Sequence, residues 1–250
     1  MRIAIVTGAS SGIGREFVRQ IEHLYKELDE IWVIARREQC LKKLEDEVRT
    51  PLRIFAVDLT DSAIFSDIET VLKKEKPDIR MLVNAAGFGK SGSVESILAQ
   101  EKDSQMDMIE LNCISLTRMT LVCLPYCSKG TRIIQMASAA GFCPQPGFSI
   151  YAATKSFVLS FSRSLASELR SKGISVTAVC PGPVNTEFFE VSGPITSIFK
   201  KMTMADAPDV VKQALKDSMK KKQLSIYGFP MKVSYLGSKL LPHRLLMKFL

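Results

Sequence analysis

The sequence predicts an α/β fold of the doubly wound kind: a parallel sheet of about seven strands with helices on both faces, in one domain over residues 1–250. Three observations carry this prediction. Short runs rich in β-branched residues alternate with stretches of helical periodicity along the chain. A glycine-rich turn stands directly behind the first of those runs. No linker rich in Pro, Gly or Ser and no internal repeat divides the sequence.

Residues 3–7 (IAIVT) are apolar without alternation, as expected of a strand covered on both faces. A helix follows, with Ile13, Phe17, Ile21, Leu24 and Leu28 three or four apart on one face. Residues 31–35 (IWVIA) form a second buried strand, and residues 38–48 a polar helix that turns Leu41, Leu44 and Val48 inward. Residues 52–57 are the third strand, and Asp61 is a suitable N-cap for the helix after it. Residues 80–84 (RMLVN) form the fourth strand. A long helical stretch over 104–127 leads to strand five at 131–136, and a helix over 149–171 leads to strand six at 174–179. Residues 186–204 lack a clean period and are expected to form a mobile substrate lid. Residues 208–221 are helical, 223–226 form a short strand, and 229–250 form a basic, apolar tail. Successive strand–helix–strand units connect with a right-handed crossover, which makes the sheet parallel.

Hydrophobic residues make up 46% and charged residues 24%, ordinary globular usage that excludes disorder as the main state. No apolar run approaches the roughly 20 residues that span a bilayer. The N-terminus, MRIAIVTGAS, lacks the apolar region and cleavage site of a signal peptide. The six cysteines (Cys40, Cys113, Cys123, Cys127, Cys143 and Cys180) form no CxxC pair, so reduced thiols and a cytoplasmic location are expected. The two histidines, His23 and His243, adjoin no ligand cluster, and no metal is expected. The net charge of +8 is concentrated near one end, where residues 200–250 hold 11 Lys or Arg against 3 Asp or Glu. That excess bears on a local partner. No nucleic-acid-binding module accompanies it, and nucleic acid is not an expected partner.

The first strand runs into TGASSGIG, residues 7–14, with glycines at Gly8, Gly12 and Gly14. Glycines let backbone N–H groups approach a pyrophosphate, and a helix N-terminus attracts its negative charge. Ser10, Ser11 and Ile13 complete this candidate cofactor loop. Three further segments follow: Asn84, Ala85, Ala86 and Gly87 (NAAG); the YxxxK pair Tyr151 and Lys155; and PGPVNT at residues 181–186. Ser138 stands thirteen residues before the tyrosine, and Asn112 lies in the long helical stretch. With these motifs in this order and spacing, residues 3 to about 190 resemble the short-chain dehydrogenase/reductase family. The resemblance implies a Rossmann-type fold, a nicotinamide cofactor, and interconversion of a ketone and a secondary alcohol by hydride transfer.

Tyr151 and Lys155 are four apart and share a helix face. A free tyrosine titrates near 10, and a neighbouring ammonium favours its phenolate, which eases proton exchange with a substrate oxygen. Ser138 can hydrogen-bond the same oxygen. The resemblance adds that Lys155 also holds the nicotinamide ribose and that Asn112 supports a water-linked proton path. It places Pro181 and Gly182 beside the nicotinamide, Thr186 at the carboxamide or the pyrophosphate with Val184 as a further cofactor contact, NAAG beside the adenosine half, and Asp58 and Leu59 at the adenine.

The end of strand two selects the cofactor. An acid there binds the ribose 2′-hydroxyl of NAD. Here Ile34 and Ala35 lead instead into Arg36 and Arg37, whose guanidinium forks suit a phosphate. NADP(H) is therefore expected, with Arg36 the chief contact and Ser10 adding a hydrogen bond. The competing reading leaves both arginines solvated beside Glu38.

The resemblance puts the substrate between the segment after Ser138 and the stretch after PG. Ala140, Phe142, Gln145, Phe148, Phe188 and Phe189 are the candidate contacts, with Phe88, Val191, Ile195, Ile198, Phe199, Met202 and Met204 around them. This lining suits a bulky apolar ketone or alcohol of steroid, bile-acid or acyl type. A homodimer or homotetramer through the two long helices is expected of the family. For the tail, packing against protein is the favoured reading, and peripheral contact with an anionic membrane is not favoured because Pro242 interrupts the helix. An NADPH-binding regulator without turnover is the alternative function.

Overall fold

The computed structural model describes residues 1–193 and 202–247. Its elements follow the expected alternation: β1 (Arg2–Thr7), α1 (Gly12–Leu24), β2 (Glu30–Ala35), α2 (Glu38–Glu45), β3 (Leu52–Ala56), α3 (Ala63–Glu75) and β4 (Asp78–Asn84). Then come α4 (Val94–Gln100), α5 (Ser104–Ile109), a π-helical turn (Glu110–Ser115), α6 (Leu116–Cys123), β5 (Cys127–Met136) and α7 (Ser149–Glu168). The remainder is β6 (Ser175–Val179), β7 (Val184–Asn185), α8 (Phe188–Ser192), β8 (Ala205–Asp206), α9 (Ala207–Met219), β9 (Leu224–Ser225), α10 (Phe229–Leu240) and α11 (His243–Leu246). Seven parallel strands form one sheet in the order β3-β2-β1-β4-β5-β6-β9.

The absence of alternation in the strands has the expected cause. Ala4, Val6, Ile31 and Val33 enter a core layer shared with α1, α2 and α9. Ile3, Ile5, Trp32 and Ile34 enter the opposite layer, shared with α3, α6 and α7. All eight are fully buried. Trp32 keeps its one polar atom paired, donating from Nε1 to Glu30 Oε2 at 2.9 Å.

Several details differ from the sequence reading. Helix α1 stops at Leu24, where the Tyr25 N–H donates to Ile21 O, and Leu28 packs on the core from the turn beyond. Helix α2 ends at Glu45, so Val48 reaches the core from a loop. Asp61 does act at the start of α3, accepting the Ala63 N–H at 2.9 Å, although the N-cap position is Ser62. Helix α4 was not signalled because it buries no residue and so leaves no apolar stripe. The helical run Ser104–Tyr126 is long and apolar enough to cross a bilayer by length and composition. It instead lies along the sheet, with Met108, Leu116, Met119 and Cys123 buried. Of the expected lid over 186–204, residues 194–201 lie outside the described residues, among them Ile195, Ile198 and Phe199. The described part holds α8 and lies between the two strands of the small β7–β8 pair. Among its described residues the tail packs on protein through one side, with Met231 and Ser238 buried.

Candidate active site

The chain leaves β1 toward β2 on one side, while β4 leads to β5 on the other. Such a reversal opens a crevice beyond the C-terminal ends of the two strands. The predicted site residues gather around it.

The loop after β1 is fixed from three directions. The Gly8 N–H donates to Ile34 O at 2.8 Å. Thr7 Oγ1 accepts the N–H groups of Ala85 and Ala86, both at 3.1 Å, which ties the loop to NAAG. Gly14 lies against Gly8 so closely that a Cβ on it would sit 2.2 Å from the Gly8 carbonyl oxygen. Backbone cannot yield to that overlap. Gly14→Ala is therefore expected to cost about 1–3 kcal/mol, the usual range for overpacking, and to lower Tm by several degrees in a thermal melt. A melt unchanged within a degree would contradict the close packing.

The start of α1 is poor in local anions. The first turn holds no acid, and Ser11, at the N-cap, makes no side-chain cap. The Gly12 N–H instead donates to Glu187 Oε2 at 3.1 Å, and Arg15 Nη2 lies 3.7 Å from Glu187 Oε1. Nearby, Arg37 donates to Ser10 Oγ from Nε at 3.4 Å and from Nη2 at 3.3 Å. Arg36 reaches Asp58 Oδ2 at 3.6 Å. Burial pushes the Asp58 carboxyl up, but the N–H and hydroxyl of Thr60, with Arg36, outweigh it and hold the group below its usual range. A helix N-terminus without its own acid, beside two guanidinium groups, is a donor set that fits the phosphates of a dinucleotide.

Two predicted cofactor residues face inward. Asn84 Nδ2 donates to Thr120 Oγ1 and Gln135 Oε1, both at 3.0 Å, so its side chain braces β4 against α6 and β5. Leu59 packs into the core layer with Ile34 and Phe65.

Ser138, Tyr151 and Lys155 meet on the wall of a cavity of about 250 Å³. Ser138 Oγ accepts the Ala140 N–H at 3.1 Å, holding the hydroxyl at the end of β5. The Tyr151 ring stacks on Phe148, centroids 4.3 Å apart, and tilts against Phe188 at 5.6 Å. Burial pushes the Tyr151 phenol up to about 12, and its hydrogen bond with Ser138 pulls the other way without offsetting this. Burial also lowers Lys155, to about 8. Its Nζ donates to Met136 O at 2.8 Å and lies 5.6 Å from the Tyr151 ring centroid. The lowered phenol expected from the YxxxK spacing is thus not a property of this geometry. Desolvation dominates, and Tyr151 rests as a neutral acid.

Asn112 sits in the π-helical turn, fully buried. Its Oδ1 accepts the Phe88 N–H at 3.1 Å, and its Nδ2 donates to Phe88 O at 2.9 Å and to Thr154 Oγ1 at 3.1 Å. The extra residue of a π turn swings this side chain out of helical register, which is the usual occasion for such turns. A Cβ on Gly87 would sit 2.7 Å from Asn112 Oδ1 and 3.4 Å from Lys155 Nζ, so these three positions converge.

Among the sequence candidates, Ile13, Ala85, Gly87, Ala140, Gln145, Phe148, Pro181, Gly182, Val184, Thr186, Phe188 and Phe189 also line this cavity. Phe142 does not. Its ring is buried edge-on to Tyr235, 5.0 Å between centroids, because the short 3₁₀ turn Ala139–Phe142 points it at α10. Val191 and Met202 are exposed. Sequence reasoning missed Ser91, Thr203, Met231 and Ser234 on the cavity wall. Met231 and Ser234 come from α10, in the tail that the sequence reads as basic, apolar and packed on protein, without placing it beside the site.

The model of the short chain dehydrogenase family matches residues 2–194. An uncharacterized oxidoreductase of Staphylococcus epidermidis is 30% identical over 216 residues, covering 86% of this chain and 90% of that protein. A short-chain dehydrogenase from Sphingobium yanoikuyae, solved in complex with NADPH, superposes with a TM-score of 0.79 at 27% identity, over 100% of this chain and 96% of that one. The bulky-bulky ketone specific alcohol dehydrogenase of Comamonas testosteroni superposes with a TM-score of 0.75 at 26% identity, over 100% and 95%.

Proposed function

The chain belongs to the short-chain dehydrogenase family, whose members are oxidoreductases that use a nicotinamide cofactor, and from that premise we propose that it interconverts a bulky apolar ketone and its secondary alcohol with NADP(H). The observation that carries the reading is the meeting of Ser138, Tyr151 and Lys155 on a wall otherwise made of Phe148, Phe188 and Phe189. NADPH, when bound, supplies the hydride. Gly12, Ile13, Thr186 and the arginines after β2 would hold it.

The residues of the chain do the rest. Tyr151, a neutral phenol, donates its proton to the carbonyl oxygen as negative charge develops there. Ser138 donates a hydrogen bond to the same oxygen and fixes its direction. Lys155, anchored by Met136 O, sits as a buried cation behind the phenol and stabilises the phenolate left after transfer. Asn112 clamps the backbone of Phe88 and keeps the segment after Gly87 in place beside Lys155. The Comamonas testosteroni enzyme supports the substrate class, as do the aromatic walls. An assembled set of acid, positioning hydroxyl and cation favours turnover over a regulator that only binds. The test is loss of nicotinamide absorbance with NADPH or NADH across ketosteroids, bile-acid ketones, acyl ketones and small diketones. Turnover best with NADPH on the bulky members is expected. Turnover confined to small polar carbonyls would overturn the substrate class.

Glu187 adds a prediction. Its carboxylate occupies the Gly12 N–H beside the place a dinucleotide phosphate would take. Glu187→Gln is expected to tighten NADPH binding about two- to fivefold, the worth of one charge at a helix N-terminus. Weaker binding, read by nicotinamide fluorescence, would mean that Glu187 orders the loop instead. For assembly we propose a homodimer or homotetramer through α6 and α7, which leave Leu121 and Phe157 exposed.

A further inference from the structure

Helix α10 has two faces of opposite character. Met231 and Ser238, seven residues apart, are buried, and the Tyr235 ring meets Phe142 on the same side. Phe229, Val233, Leu236 and Leu240 recur at intervals of four, three and four, which places them together on the other face. They are exposed by 78%, 52%, 58% and 72%. The apolar surface continues past Pro242 through Leu241, Leu245 and Met247, all exposed. Singly such residues are ordinary, but a contiguous apolar strip marks an interaction surface.

Charge identifies what covers it. From residue 218 onward the sequence contains no Asp or Glu and seven Lys or Arg. Lys232, Lys239 and Arg244 flank the strip and are exposed, and among the described residues no carboxylate pairs with them. Lys239 Nζ lies 5.7 Å over the Tyr235 ring, which holds the cation at the edge of the apolar face. A second copy is a poor occupant. A two-fold contact sets the same patch against itself, and that would crowd these cations with no acid to neutralise them.

We propose that α10 and α11 form a docking surface for an anionic lipid bilayer, with the apolar strip entering the headgroup boundary and Lys232, Lys239 and Arg244 facing lipid phosphates. The same helix presents Met231 and Ser234 to the catalytic cavity, so the bilayer would lie beside the helix that helps wall the substrate site. This differs from the sequence reading of the tail, which weighed Pro242 against one continuous membrane helix. The break bends the strip without burying it.

The test is sedimentation of the full chain with vesicles rich in phosphatidylglycerol and with vesicles of phosphatidylcholine alone, at physiological salt. Each cation near an anionic surface multiplies binding about fivefold, so partition onto the anionic vesicles is expected to be at least about tenfold stronger. Two double variants separate the contributions, Phe229→Asp with Leu240→Asp and Lys232→Glu with Lys239→Glu. Each is expected to lose binding about tenfold or more while keeping its circular dichroism and its turnover of a water-soluble ketone, because all four positions are exposed and outside the cavity. No sedimentation with anionic vesicles overturns the proposal. So does binding that both variants leave unchanged, or an apolar-face self-association that the Asp variant dissolves in the absence of vesicle binding. The surface is argued independently of the reaction, so such a result leaves the reductase reading standing.

Discussion

Tyr151→Phe is expected to lower kcat by about 10²–10⁴-fold, the usual contribution of a positioned proton donor, with NADPH affinity changed less than about twofold. The substitution removes one oxygen and keeps the ring, whose contacts with Phe148 and Phe188 set its position. A loss of this size with an intact fold would assign the proton step to the hydroxyl. The pH profile is a second readout. The phenol, pushed up to about 12, stays protonated across the accessible range. Lys155, lowered to about 8, is charged below that value and neutral above it. The ketone-reducing rate should therefore hold level at neutral pH and fall as pH rises through about 8, when the cation that stabilises the phenolate left on Tyr151 is lost. A reducing rate that climbs toward pH 9 would make the phenolate the working form and contradict the neutral-acid reading. Full activity in the Phe variant would remove Tyr151 from the chemistry.

How far the sequence carries this site is clearest in particular residues. The sheet was legible because fully buried parallel strands leave unbroken apolar runs, as in residues 3–7 and 31–35. The Gly8–Gly14 loop was legible because its contacts leave no room for a side chain. Tyr151 and Lys155 were legible through a helical spacing that puts both on one face. Their electrostatics were not, since burial depends on Phe88, Met108 and Phe188 arriving from distant segments, and it reverses the expected shift of the phenol. The π turn at Asn112 was equally hidden. One residue too many in a helix changes no periodicity that a short window can resolve, and only the backbone of Glu110–Ser115 reveals it. Phe142 was misplaced for a related reason. An aromatic residue near a catalytic serine has two packed environments available, and α10, far along the chain, takes it.

Arg36→Glu is expected to raise the dissociation constant for NADPH about 10²–10³-fold while changing that for NADH less than about threefold. The guanidinium is largely exposed, and its only ion pair among the described residues is a 3.6 Å contact with Asp58. Exposed pairs at such distances are worth at most about 1 kcal/mol, so Arg36 is free to turn to a 2′-phosphate at little cost. A charge-assisted bond to that phosphate contributes about 1.5–3 kcal/mol. Reversal of the charge removes it and sets a carboxylate, beside the ionised Asp58, against a phosphate dianion. Together these reach the 3–4 kcal/mol or so that two to three powers of ten require. NADH lacks the phosphate and loses none of this. Arg37→Ala should cost less, because that guanidinium is already turned to Ser10 Oγ. Equal losses for both cofactors in Arg36→Glu, measured by fluorescence titration, would place Arg36 in the fold of the loop and return the competing reading of two solvated arginines.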